Sequence, residues 1–119
     1  MKMNSFAAVR QHCLAQAVSC EDFPFGPDIY VYKTHGKVFA ILMEKDGVAR
    51  VNLKADPTEA LMLRQLFRAV TPGYHMNKKH WNTLLLDGSV PDAEVQRQID
   101  QSWQLVQPKQ RRARVEQPA

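Results

Sequence analysis

The chain has only two cysteines and no long apolar run among its 119 residues. Cys13 and Cys20, if both lie on one helix, are separated by roughly 10 Å along its axis, too far for a disulfide. No apolar stretch approaches the roughly 20 residues that a membrane-spanning helix requires. The first residues also lack the apolar core of a signal peptide. These absences predict a reduced, cytoplasmic protein with no membrane contact.

Motifs that carry common enzyme chemistry are missing as well. No serine or cysteine stands in a nucleophile-elbow pattern, and neither a Walker phosphate loop nor a Rossmann glycine pattern is present. The cysteines have no nearby histidine pair with which to bind zinc. His75 and His80 have Lys78 and Lys79 between them, and this positive charge opposes a cation. The sequence therefore predicts a protein that is not an enzyme and holds no cofactor or metal.

The positive charge of the chain is concentrated at its C-terminal end. The formal net charge is +4, and the last residues, Lys109, Arg111, Arg112 and Arg114 against Glu116, account for +3 of it. Residues 1–107 have the composition of an ordinary soluble domain and the length for one hydrophobic core. Residues 108–119 are polar and basic without periodicity, which predicts a disordered tail.

Helical and alternating apolar patterns divide the domain into elements. Asn4 or Ser5 can cap a first helix that runs to about Val18, and Asp56-Pro57 begins a second that runs to about Ala69. Pro91 begins a third helix. Strands are predicted at residues 29–33, 37–44, 48–54, 74–76 and 81–86, with Gly36 and Asp46-Gly47 at tight turns.

This order of elements predicts an α+β fold in which a single-layer antiparallel sheet carries helices on one face. In residues 48–54, Val51 and Leu53 alternate with Arg50, Asn52 and Lys54. One sheet face is therefore apolar, and the other is polar, basic and open to solvent. No heptad pattern or large apolar stripe argues for a dimer, so we expect a monomer.

The segment 72–82 is unusually rich in polar and aromatic side chains for a turn and a strand. It contains two lysines, two histidines, two asparagines, Tyr74 and Trp81, and it has no acidic residue. The nearest carboxylates are Glu59 before it and Asp87 after it. This segment is therefore the first candidate for a functional site.

The same segment carries a family resemblance. Pro72-Gly73-Tyr74, Asn77-Lys78 and His80-Trp81-Asn82, followed by residues 85–91 (LLDGSVP), resemble the signature of the MmcQ/YjbR-like bacterial proteins, as do residues 23–28 (FPFGPD) and 36–40 (GKVFA). The resemblance implies a small α/β domain that binds DNA through a "double wing" sheet. The architecture is also distantly similar to frataxins, which gather metal along an acidic first helix. Residues 4–18 here contain no carboxylate, so that function is not expected.

Two functional interpretations of the segment remain open. In the first, basic side chains contact DNA phosphates while neighbouring polar and aromatic groups shape the surface. In the second, residues 74–81 line a pocket or groove for a protein segment or a small ligand. The lysines could also serve only to solvate the sheet and guard its edges. The nucleic-acid-binding candidates are Lys33, Lys37, Arg50, Lys54, Asn77, Lys78, Lys79, His80 and Trp81.

Overall fold

Three helices and six strands make up the fold in this computed structural model, which describes residues 2–73 and 76–108. The strands form one antiparallel sheet in the order β1-β2-β3-β4-β6-β5. The α+β architecture predicted from the sequence is confirmed. The elements are α1 (Phe6–Leu14), β1 (Ser19–Asp22), β2 (Tyr30–Thr34), β3 (Lys37–Lys45), β4 (Val48–Lys54), α2 (Pro57–Leu66), β5 (Val70–Pro72), β6 (Trp81–Leu85) and α3 (Asp92–Leu105).

The first helix begins as predicted but ends four residues early. Ser5 is its cap, because the Ser5 hydroxyl accepts a hydrogen bond from the amide of Ala8. The prediction that the helix reaches Val18 was wrong. Val18 has a left-handed φ of 54°, which redirects the chain into β1, an edge strand that the apolar pattern did not predict.

The second helix also ends early, at Leu66, because Phe67 is extended and leads toward β5. Its predicted start is confirmed: Asp56 accepts a hydrogen bond from the amide of Thr58, with Pro57 in the first turn. The strand predicted at 74–76 includes Tyr74 and His75, which lie outside the described residues. The edge strand beside β6 lies earlier in the chain, at β5.

Both predicted hairpin turns have the backbone geometry that two-residue loops require. His35-Gly36 and Asp46-Gly47 have φ values of 52° and 78°, and of 55° and 80°. Positive φ at both central positions matches the right-handed twist of the flanking strands. These two turns fix the alignment of β2, β3 and β4.

A β-bulge changes which side chains of β3 reach the core. Tyr32 lies opposite Ala40, but Lys33 lies opposite Val38, so Phe39 is the extra residue. Tyr32 and Phe39 are both fully buried, with ring centroids 6.5 Å apart. Because the bulge reverses the alternation, Lys37 pairs with Thr34 on the side of the sheet that carries the helices.

The core lies between the helices and one sheet face. Leu42, Val51 and Leu84 come from neighbouring strands, and Val9 and Ile99 come from α1 and α3. Each is almost inaccessible to water, and burying such a side chain contributes about 1.5–3 kcal/mol. This packing holds the opposite, outer face of the sheet in a fixed shape.

Ser102 connects α3 to two strands at the centre of the sheet. Its buried hydroxyl donates to the carbonyl of Phe39 at 2.6 Å and accepts from the amide of Lys54 at 2.8 Å. These two backbone groups would otherwise lack a partner where the bulge interrupts regular pairing. One side chain therefore fixes the position of α3 on the sheet.

A network of three side chains joins α1 to the edge strand. Arg10 donates to both carboxylate oxygens of Glu21, at 2.9 and 3.1 Å, and the hydroxyl of Tyr32 donates to Glu21 at 2.7 Å. These hydrogen bonds stabilise the charged carboxylate, so they hold the pKa of Glu21 below its usual value. The network anchors β1, which has only one neighbouring strand.

Candidate nucleic-acid interface

The segment 72–82 closes the hairpin between β5 and β6. Pro72 lies opposite Asn82, and the amide of Gly73 donates to the carbonyl of Trp81 at 2.8 Å. A Cβ atom on Gly73 would lie 2.8 Å from the Cβ of Trp81 and 3.0 Å from its carbonyl oxygen. Only glycine therefore lets the two backbones approach this closely.

Residues 77–80 form a tight turn that begins at Asn77. The carbonyl of Asn77 accepts from the amides of His80 and Trp81, at 3.1 and 3.0 Å. The side-chain oxygen of Asn77 accepts from the amide of Lys79 at 2.9 Å. Asn77 was predicted to contact nucleic acid, but its side-chain oxygen is engaged in shaping the turn.

The turn presents its two lysines to solvent and is tied to the sheet at its end. Lys78 and Lys79 are both exposed, whereas His80 and Trp81 are half-buried. The carbonyl of His80 accepts from the amide of Ala55 at 2.8 Å, just past the end of β4. The turn is therefore hydrogen-bonded to the end of β4.

Arg64 of α2 lies behind the turn and was not among the predicted site residues. Its Nε donates to the side-chain oxygen of Asn82 at 2.6 Å, and its Nη2 donates to the carbonyls of Lys78 and, at 3.4 Å, Trp81. The sequence held one signal for it: Arg64 directly follows Leu63 on the inner stripe of α2, in a stretch without acids.

The outer face of the sheet continues from the turn along β4 and β6. Arg50 lies opposite Leu85, Asn52 opposite Thr83, and Lys54 opposite Trp81. The hydroxyl of Thr83 donates to the side-chain oxygen of Asn52 at 2.6 Å, and both residues are buried. Arg50, Asn52 and Lys54 share the outer face as the alternation of β4 predicts. The prediction that this face is open to solvent was wrong in its middle, where Val31, Ile41, Asn52 and Thr83 form a buried row across four strands.

Arg50 has an unusual position on this face. Its Nε atom is buried and has no hydrogen-bond acceptor in the described residues. A buried guanidinium N–H without a partner is uncommon, because it loses its water without gaining another acceptor. Because this Nε atom is inaccessible, it is not itself available for a contact with DNA.

Two of the predicted lysines have surroundings that the sequence pattern did not indicate. Lys33 is on the outer face but forms an ion pair with Asp22 at 3.2 Å, which offsets its charge. Lys37 was assigned to the outer face, and this was wrong. The bulge at Phe39 places it opposite Thr34, on the helix-bearing side.

The remaining basic residues of the surface take part in no ion pair in the described part of the chain. Within residues 2–73 and 76–108, the ion pairs engage Arg10, His12, Lys33 and Arg97. None of these ion pairs engages Arg50, Lys54, Arg64, Lys78 or Lys79. We call Arg50, Lys54, Lys78, Lys79, His80 and Trp81 the basic surface; Arg64 supports it from behind.

Potential metal ligands do not cluster in the described part of the chain. No group of three or more histidine, cysteine, aspartate or glutamate side chains lies together there. Cys13 is buried in the core, and burial raises the pKa of its thiol, so it remains protonated at neutral pH. Cys20 is exposed and free.

The fold and surface define a small α+β domain with a one-sided antiparallel sheet, and similarity to known proteins identifies its family. Residues 14–105 match the YjbR family, and the chain belongs to that family. It is 42% identical to the Escherichia coli O157:H7 protein YbdF over 84 residues, which cover 71% of this chain and 69% of YbdF. It is 40% identical to YjbR of Escherichia coli K12 over 72 residues, which cover 60% and 61% of the two chains.

Solved structures show the same fold. A crystal structure of the Deinococcus radiodurans protein DR2400, with a DUF419 domain, has a TM-score of 0.83 and 32% identity, and the match covers 98% of this chain and 91% of that one. A Pseudomonas syringae protein has a TM-score of 0.72 and 30% identity, covering 82% and 94%. The names of these relatives describe no ligand or activity.

No helix in the described residues is both long and apolar enough to cross a membrane.

Proposed function

We propose that this protein is a cytoplasmic, non-enzymatic DNA-binding domain whose basic surface contacts backbone phosphates. The observation that carries the proposal is a set of basic side chains without carboxylate partners on one continuous structure. Arg50 and Lys54 extend along β4, and the Lys54–Trp81 pair joins them to the turn that presents Lys78 and Lys79. Unneutralised cations on a rigid surface are what phosphate contacts require.

The geometry favours weak sequence preference. Asn77 and Asn82 were the residues best suited to reading base edges, because asparagine can pair with adenine. Asn77 uses its side-chain oxygen within the turn, and Asn82 is buried between Arg64 and the carbonyl of Ala60. With the Asn82 amide and the side-chain oxygen of Asn77 engaged, contacts to phosphates supply most of the affinity.

Salt-titrated binding to a labelled DNA duplex tests the proposal. Counterion release makes the logarithm of the binding constant fall linearly with the logarithm of salt, by about 0.9 for each phosphate contact. The Lys78→Ala/Lys79→Ala variant should weaken binding and reduce that slope by about 1.8. The control Lys2→Ala/Lys37→Ala removes the same charge away from the basic surface and should leave the slope nearly unchanged.

Three outcomes would contradict the proposal. One is the absence of binding at low salt, and another is an unchanged slope in Lys78→Ala/Lys79→Ala. The third concerns the C-terminal residues, whose basic side chains can bind DNA by themselves. If glutamine substitutions there abolish binding, the domain is not the binding element. The residues to replace in the full chain are Lys109, Arg111, Arg112 and Arg114.

The same titration distinguishes the groove interpretation. If residues 74–81 form a pocket for a protein segment or small ligand, His80→Ala should weaken DNA binding no more than the control Lys2→Ala/Lys37→Ala does. Tyr74 and His75, which that interpretation also uses, lie outside the described residues. Trp81 lies in β6 opposite Lys54, whereas His80 precedes the strand, so replacing Trp81 also disturbs the strand pair and is less informative than replacing His80.

A further inference from the structure

Arg64 bonds to three positions of one short segment from a helix that lies behind it. Its acceptors are the carbonyls of Lys78 and Trp81 and the side chain of Asn82. Asn82 in turn donates to the carbonyl of Ala60, one helical turn before Arg64. The guanidinium and the amide therefore connect α2 to both the turn and the start of β6.

The acceptors of Arg64 are all neutral: two backbone carbonyls and one side-chain amide oxygen. No carboxylate in the described residues forms an ion pair with it, and residues 60–86 contain no acid. A carboxylate partner would hold the side chain equally well but would cancel its charge. The observed arrangement fixes the turn and keeps the positive charge beside Lys78 and Lys79.

We propose that Arg64 is a positioning residue for DNA binding, and that it holds the turn so that Lys78 and Lys79 reach phosphates together. This inference rests on the proposed function. The hydrogen bond to the carbonyl of Lys78 fixes the backbone from which both lysines project. A turn fixed in advance loses less conformational entropy on binding than a free one. Arg64 itself lies behind the turn and need not touch DNA.

Arg64→Lys separates the geometry of this residue from its charge. Lysine keeps the positive charge, but a single ammonium cannot reproduce the planar fork that reaches three acceptors. If Arg64 acts through the turn, Arg64→Lys should weaken DNA binding about three- to tenfold, a change typical of losing one hydrogen-bonded contact. If Arg64 acted only through its charge, Arg64→Lys would bind like the wild type.

A double-mutant cycle tests whether the effect passes through the two lysines. Lys78→Ala/Lys79→Ala should cost severalfold less affinity in the Arg64→Lys background than in the wild type, because the lysines are no longer held in place. Arg50→Gln is the matched comparison. Arg50 lies four residues from the Lys54–Trp81 end of the pair of strands, roughly 13 Å away. Arg50→Gln should therefore lower DNA affinity by the same factor in the wild type and in the Arg64→Lys background.

The positioning role would be overturned if Arg64→Lys were additive with both Lys78→Ala/Lys79→Ala and Arg50→Gln. It would also be overturned if Arg64→Lys were coupled equally to both changes, because equal coupling indicates a general loss of structure. Amide hydrogen exchange gives a second measurement that needs no DNA. Arg64→Lys should speed exchange at Lys79, His80 and Trp81 and leave β3 unchanged. Unchanged exchange at these amides would overturn the inference. If Arg64→Lys does not fold, Arg64→Gln, which keeps a planar amide donor, takes its place in both experiments.

The two proposals fail in different ways. If the wild type does not bind DNA, the proposed function is wrong, while hydrogen exchange still decides whether Arg64 holds the turn. If the wild type binds DNA with the expected salt slope but the cycle is additive, DNA binding stands and the role of Arg64 is wrong.

Discussion

Lys54 and Trp81 lie directly opposite each other at the ends of β4 and β6, with the amide of the next residue, Ala55, bonded to the carbonyl of His80. This pair joins two parts of the chain that are far apart in sequence. It brings the basic outer face of β4 next to the turn that carries Lys78 and Lys79. The proposed DNA-binding surface exists because of this junction.

The first prediction compares two lysines that the sequence alone treats as equivalent. Lys54→Ala should weaken DNA binding and lower the salt slope by about 0.9, the value for one phosphate contact. Lys37→Ala removes the same charge from the helix-bearing side and should change the slope much less. Fluorescence anisotropy at several salt concentrations measures both. A larger effect for Lys37 than for Lys54 would show that the surface is wrongly assigned.

The second prediction concerns the close approach of Gly73 and Trp81. Gly73→Ala places a methyl group within 2.8 Å of the Cβ of Trp81, so the two backbones must separate. We expect a loss of about 1–3 kcal/mol in unfolding free energy, as for other overpacked sites. Urea denaturation followed by tryptophan fluorescence measures it.

A control for this variant is Leu66→Ala, since Leu66 is 65% exposed on α2. Replacing a side chain this exposed should change stability by less than about 0.5 kcal/mol. A Gly73→Ala variant as stable as Leu66→Ala would mean that the hairpin adjusts without cost.

The third prediction concerns the buried hydroxyl of Ser102. Ser102→Ala leaves the carbonyl of Phe39 and the amide of Lys54 without partners, which should cost about 1–3 kcal/mol. Gln104→Ala, on an exposed position of the same helix, controls for the higher helix propensity of alanine. Equal urea midpoints for the two variants would show that the serine contributes nothing to stability.

The fourth prediction concerns pH. Because the pKa of Glu21 is lowered in the folded protein, the Glu21 network stabilises the fold above the ordinary glutamate pKa of about 4.3. This contribution disappears as pH falls through the lowered, folded-state value. The wild type should therefore exceed Glu21→Gln in stability at pH 7, and the difference should shrink below about pH 4. Urea midpoints between pH 7 and pH 2.5 measure it.

Other carboxylates also lose favourable hydrogen bonds in acid, since the pKa values of Asp22, Asp87 and Asp92 are lowered as well. The wild type alone therefore cannot isolate the contribution of Glu21. Glu44→Gln, an exposed change outside any described ion pair, serves as the control and should follow the wild type at every pH. If Glu21→Gln does the same, Glu21 contributes no net stability.

Local sequence signals predicted the elements whose causes are local. The turns at His35-Gly36 and Asp46-Gly47 need positive φ, and the start of α2 needs a capping carboxylate before a proline. β1 has no such signal, because Ser19–Asp22 is a short polar strand that pairs only with β2. It was therefore missed.

The amino-acid sequence by itself determined the α+β class, the family, the basic side chains of β4 and the acid-free segment 72–82. Each of these depends on periodicity, turn residues or charge among residues that are close together in the sequence. The tertiary structure decided which of the basic residues lie together on one surface. The bulge at Phe39 moved Lys37 to the other side, Asp22 neutralised Lys33, and Arg64 reached the turn from α2. These outcomes depend on pairing and packing between distant segments, which no local pattern encodes.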